Sequence, residues 1–188
     1  MRELPDPGFA DDDGSASGEL TEALRAYDAD PDTRHGATLE VLQRARLLVP
    51  VVAVPGEVGH DDRGLAHDRT SEMATVLTRG RDGRTALLAF TGSETMGRWS
   101  SEARPVPVTP SRAAAAALQD GADAIVVDMA GPVMFVVAGE DLRALAQGRR
   151  LVRLHGPEGG ADDQPTDTGG RPASGAATDR YGWVRPAR

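Results

Sequence analysis

The longest uninterrupted apolar run in this chain, Leu47 to Val54 (LLVPVVAV), has the length of one buried strand. That limit decides most of what the chain can fold into. A short valine-rich run suits a strand buried on both faces, whereas a helix that crosses a bilayer takes about 20 apolar residues. No membrane span is expected. Pro50, inside the run, can sit only where the ladder needs no donor.

The other apolar stretches are also short, and their spacing alternates between helix and strand. Leu20, Ala23, Leu24 and Tyr27 lie on one helical face, with Ser17 as the expected cap. Asp30-Pro31 reads as a second cap with proline at the first helical position, and Leu39, Leu42 and Ala45 continue that stripe. Pro55 to Thr70 reads as a polar loop. Met73 to Thr78 and Thr85 to Phe90 read as a hairpin around Asp82-Gly83.

A short helix is expected over Ser93 to Trp99, capped by Thr91, and an extended segment over Arg104 to Val108. Thr109-Pro110 starts an alanine-rich helix that Gly121 ends. Ala124 to Asp128 is a strand, Gly131-Pro132 turns the chain, and Val133 to Val137 is the expected antiparallel neighbour. Glu140 to Gln147 is a last helix, closed by Gly148. Hairpins with helices between them give an α+β or mixed α/β fold around one mixed sheet, covered mainly on one face.

The ends differ in kind. Residues 1–17 are acidic, and residues 155–188 are crowded with Gly, Pro, Asp and Thr. Such stretches bury too little to offset the entropy of ordering them. The expectation is one domain over 18–154 between two disordered segments. The first residues are acidic where a secretory signal is basic and then apolar, so the expected location is the cytoplasm.

The absences in this sequence constrain the chemistry. Cys, Lys and Asn do not occur, and all 21 basic residues are Arg. Without Cys there is no thiolate nucleophile, disulfide or cysteine-held metal. Without Lys there is no Schiff base and no P-loop lysine. Dinucleotide fingerprints are missing too, and no cofactor is expected. The net charge of −8 and the lack of a basic stripe argue against nucleic acid. The arginine clusters at 79, 81 and 84 and at 149, 150 and 153 read as solvated turns and helix ends.

A few polar residues still invite a functional reading. His60, Asp62 and His67 are metal-ligand types in one loop, but no helix fixes their spacing and a polar loop with chance acids explains them better. Thr91-Gly92-Ser93 follows a strand and opens a helix, as a nucleophile elbow does, yet G-x-S-x-G is absent and helix capping is preferred. An anion site at that helix start stays open as an alternative. Asp128 ends a strand and reads as an acid or ligand at the sheet's carboxyl edge, or as a turn former. Trp99 is either a partner anchor or core. Thr91, Ser93, Glu94, Arg98, Trp99 and Asp128 together form the candidate interaction or ligand site. No catalytic residue is assigned.

The central block resembles the SseB N-terminal domain family, of actinobacterial type. The resemblance runs over about Leu39 to Leu154. It is carried by LLVPVVAV, the segment AFTGSETMGRW, the extended VPV, GADAIVVDMAGP and EDLRAL, and is most specific at Phe90 to Trp99. Related chains carry Asn-Pro after the late strand, where this one reads Asp128-Met129-Ala130-Gly131-Pro132. The resemblance implies a compact α/β domain of the bacterial cytoplasm, and the family name brings no biochemical activity with it. The function expected is a non-enzymatic protein-interaction or regulatory module with an unidentified protein partner. The alternative is a small-molecule sensor for an amino acid or nucleotide, and a hydrolase or metal-dependent enzyme comes third.

Overall fold

Two parallel strands form the axis of the molecule, and the rest of the chain is arranged around them. The computed structural model describes residues 9, 12–54, 72–154 and 180–186. Helices α1 (Gly18–Ala29) and α2 (Pro31–Leu42) lead into β1 (Leu47–Val54). Then come β2 (Glu72–Thr75), β3 (Leu77–Arg79), β4 (Thr85–Ala89), α3 (Ser93–Trp99), β5 (Arg104–Val108), α4 (Pro110–Gln119) and β6 (Ala124–Val127). The chain continues through β7 (Phe135–Ala138), α5 (Gly139–Ala146), β8 (Arg150–Leu154) and β9 (Arg180–Val184). This is the α+β fold the alternating pattern requires.

The expected single sheet is three hydrogen-bonded sets. One is β2-β1-β5, a second is β3-β4-β6-β7 and a third is β8-β9. β4 and β6 are the parallel pair, and α3, β5 and α4 cross between them. The first two sets meet at one bridge, where Leu48 and Phe90 exchange two backbone bonds of 2.8 Å. The run expected as one strand over Met73 to Thr78 is broken at Val76. Its first half pairs with β1 and its second half with β4. Bridging two sheets needs that break.

Pro50 finds the donor-free place its ring demands. It lies opposite Pro105, and Leu48 lies opposite Pro107. Leu48 gives its N–H away from β5, to Phe90. The alternation along a strand then aims Pro50 the same way, into the gap between the Phe90 bridge and β2. Pro105 and Pro107 face the outer edge of β5. No ladder bond is lost, and that edge is blocked to further pairing.

The strands alternate between two cores. Leu47, Val49, Leu87, Ala89, Ile125, Val127, Phe135 and Val137 point to the main one, against Leu20, Leu39 and Leu142 of the helices. Ala113, Ala114 and Ala117 let α4 approach closely. The intervening residues point the other way. Leu48, Leu88 and Phe90 meet Met96 and Ala103 there in a smaller cluster, with Val76, Trp99 and Val126 against it. The second face is therefore covered at one end, by α3, rather than left open.

Several caps match expectation and two do not. Asp30 accepts from the Thr33 backbone N–H and also bonds the Thr33 hydroxyl. Thr109 accepts from Arg112 N–H at 3.3 Å. Gly121 and Gly148, both with positive φ, follow α4 and α5 as expected. Ser17 makes no side-chain cap, and its carbonyl instead accepts from Thr21. The cap of α3 is Gly92, not Thr91, whose hydroxyl is used elsewhere.

Two stretches set outside the domain on composition make contact with it. Residues 12–16 pack across the start of α3, and Arg180–Val184 pairs with β8. Local composition does not show such docking, because the partners lie far away in sequence.

Candidate functional site

Thr91 and Asp128 stand just past the carboxyl ends of the two parallel strands, where α/β sheets place their ligands. Asp128 N–H donates to Ala89 at 2.9 Å, the last rung of the parallel ladder. The chain then turns, with φ at 54° on Asp128 and a 2.8 Å bond from Gly131 N–H to its carbonyl. Asp tolerates that left-handed conformation better than most residues.

The turn drives the Asp128 carboxylate inward, where it is buried. Its Oδ1 accepts from Thr91 N–H at 2.9 Å and from the Thr95 hydroxyl at 2.6 Å. Its Oδ2 accepts from the Thr91 hydroxyl at 2.6 Å. Three donors on a buried carboxylate offset much of its desolvation. They also tie the end of β4 and the first turns of α3 to the β6–β7 turn. Asp128 is thus the turn former that the sequence offers as one of its two readings, and its carboxylate is buried at the carboxyl edge of the sheet. Thr95 was not singled out in the sequence. Its placement one helical turn after Thr91 was the available signal.

From below, Arg46 closes the same corner. Its guanidinium donates to the Thr91 carbonyl at 2.9 Å, to Asp12 Oδ1 at 2.7 Å and to the Ser15 carbonyl at 2.7 Å. The Arg46 and Asp12 side chains are only 11 % and 14 % exposed. The Gly14 carbonyl accepts from Ser93 N–H at 2.8 Å. A Cβ at Gly92 would come within 2.9 Å of the Ala16 nitrogen, so the strap passes only because position 92 is glycine. The free helix start considered as an anion site is therefore covered by the chain's own residues 14–16.

A cleft of about 310 Å³ opens over this corner, between α1, α3 and the β6–β7 turn. Leu24, Pro132 and Val133 form apolar walls, and Arg25, Glu94 and Arg98 are exposed around it. Glu94 and Arg98 pair along α3 at 2.6 Å. Thr91, Glu94, Arg98 and Asp128 thus line one cleft. Ser93 faces the strap instead. Trp99 turns to the second face of the sheet, half-buried, its ring 5.7 Å from that of Phe90.

Among the described residues the elements of a nucleophile elbow do not assemble. The only described histidine, His35, is bound to Asp141 on a different part of the surface. His60, Asp62 and His67 lie outside the described residues. Among the described residues no three metal-ligating side chains come together, and no helix is long and apolar enough to cross a membrane.

A second polar cluster escaped the sequence reading. Asp141 Oδ2 lies 3.0 Å from His35 Nε2, and its Oδ1 accepts from Trp183 Nε1 at 3.1 Å. The His35 bond is the main reason its pKa falls below the usual carboxylate value, with burial opposing. These three residues sit on α2, α5 and β9 and share no local motif.

The family model of the SseB protein N-terminal domain matches residues 20–144. That span includes all but the first two residues of α1, the parallel pair and α3, so it contains Thr91, Thr95 and Asp128. No curated protein sequence and no solved structure matches the chain.

Proposed function

Since the chain belongs to the SseB N-terminal domain family, we propose that it is a non-enzymatic protein-interaction or regulatory module of the cytoplasm. Its partner is a protein, not nucleic acid or membrane. The observation that carries this reading is the uncovered end of the sheet's second face. Along β7 and the two residues before it the pattern is strict: Val133, Phe135 and Val137 are buried, while Met134 and Val136 are 53 % and 37 % exposed. Val136 lies opposite Val126, which packs against the same minor cluster as Trp99. An apolar row of Trp99, Val126, Val136 and Met134 therefore continues from the covered end of this face into solvent. Such patches mark contact surfaces.

The corner supports that face mechanically. The Asp128 carboxylate accepts from both threonine hydroxyls and from the Thr91 N–H. The effect of these bonds is to hold α3 in place, and with it Trp99.

A second reading is supported by the cleft. Its volume is at the lower end of small-molecule sites, and Arg25 and Arg98 beside apolar walls suit a small organic anion. One paired experiment separates the two. Affinity capture with the wild-type chain and with Val136→Arg is run beside a thermal-shift screen of amino acids and nucleotides. A partner held by the wild type and lost by Val136→Arg, with no metabolite shift, supports the protein module. A metabolite shift abolished by Arg98→Ala, with no partner, replaces it with the sensor.

A further inference from the structure

The family match ends at residue 144, and the two strands beyond it build a feature of their own. β8 and β9 pair with each other and with no other described strand. Leu154 faces Arg180 directly in that pair, yet residues 155–179 separate them. A tight hairpin closes with about two to five residues, so no such turn sets this register. Side chains of β9 make contacts that hold it.

Two aromatic residues do so, on one side of the strand. Tyr181 lies over Gly36 in the middle of α2. A Cβ at Gly36 would come within 2.9 Å of Tyr181 Cγ and closer still to Cδ2. Glycine inside a helix costs about 1 kcal/mol relative to alanine, so α2 gives up stability where the ring lies. Trp183 donates its indole N–H to Asp141 at 3.1 Å. Asp141 is held by His35, which stacks on the buried Phe135 with ring centres 5.0 Å apart. Arg153 of β8 bonds the Tyr181 hydroxyl at 3.2 Å and lies 5.8 Å from the ring centre. A cleft of about 440 Å³ borders these contacts.

We infer that the edge of β8, with the Gly36 notch and the Asp141 acceptor, is a binding site for an extended aromatic–Gly–aromatic peptide, and that Arg180–Val184 is its tethered occupant. The fitting partner is a protein that presents such a strand. Recognition is strand addition, in which backbone bonds to β8 give affinity and alternate side chains give selectivity. β9 belongs to the same chain, so its pairing is intramolecular and a partner must displace it. This site shares no residue with the Trp99–Val136 face and does not depend on it.

The test uses the full chain. A labelled peptide copying residues 180–185 is titrated by fluorescence anisotropy into the wild type and into a Tyr181→Ala/Trp183→Ala variant. The variant is expected to bind the peptide saturably and at least tenfold more tightly than the wild type. Adding Gly36→Leu to the variant is expected to abolish binding. A folded variant that does not bind, or that binds no better than the wild type, overturns the proposal. Native-state hydrogen exchange of the unmodified chain is a second check that needs no variant. The amides of β9 should exchange at least tenfold faster than those of β4 and β6. Equal protection, with β9 opening only on global unfolding, also overturns it.

Discussion

Asp128 and Thr91 are joined twice, by a 2.9 Å bond from the Thr91 backbone N–H and a 2.6 Å bond from its hydroxyl. Both residues follow the ends of neighbouring parallel strands, so the pair fixes where α3 begins. Asp128→Ala removes three accepted bonds and puts alanine at φ 54°. Hydrogen bonds to a charged group contribute roughly 1.5–3 kcal/mol each, though not additively. The expected loss is about 4 kcal/mol in urea unfolding, seen as a lower midpoint at unchanged slope. Asp128→Asn keeps one acceptor and tolerates the backbone, and the same experiment should show a loss of about 1–2 kcal/mol.

The strap over α3 gives a different prediction. Arg46 and Asp12 are shielded from water, so their coupling should exceed that of a surface pair, which is typically below about 1 kcal/mol. A double-mutant cycle with Arg46→Ala and Asp12→Ala is expected to give roughly 1.5–3 kcal/mol. Arg46→Ala should also speed hydrogen exchange at the Ser93 amide, as the Gly14 carbonyl moves away.

Much of the fold was legible in the sequence because its signals are local. LLVPVVAV is β1, the alanine run is α4, and Pro31 and Pro110 mark helix starts. The break at Val76 was not legible, since the switch between sheets depends on strands that are close only in the folded state. At the site, Thr91 and Asp128 could be named but their bond could not, because a parallel pairing joins them. Arg46–Asp12 and His35–Asp141–Trp183 were invisible for the same reason. Each group is assembled from distant elements, and none carries a short motif.

Asp141 gives a pH prediction with a definite sign. Its folded-state pKa lies below the ordinary 3.8, chiefly through His35 and secondarily through Trp183. Its contribution to stability is therefore complete above 3.8 and is lost as pH falls through the lower folded value. Asp141→Asn should flatten the acid side of the stability profile. Trp183 emission should report the release of β9 over that same range.

Charge on the second face should affect binding far more than folding. Val136 is on the exposed side of β7 and its strand neighbours supply the core contacts. Val136→Arg is expected to change unfolding free energy by less than about 1 kcal/mol. Phe135→Ala, on the buried side one residue away, should cost about 3–5 kcal/mol. Chemical denaturation of the two variants checks the contrast.

The most direct measurement of the interaction account is site-specific photocrosslinking in living cells. A photoreactive residue is placed at Val136, at Met134 and, as a control, at Glu22 on the outer face of α1. The account predicts one discrete protein adduct from Val136 and Met134, none from Glu22, and loss of the adduct when Trp99→Ala is added. No adduct from the sheet face, or the same adducts from Glu22, would contradict it.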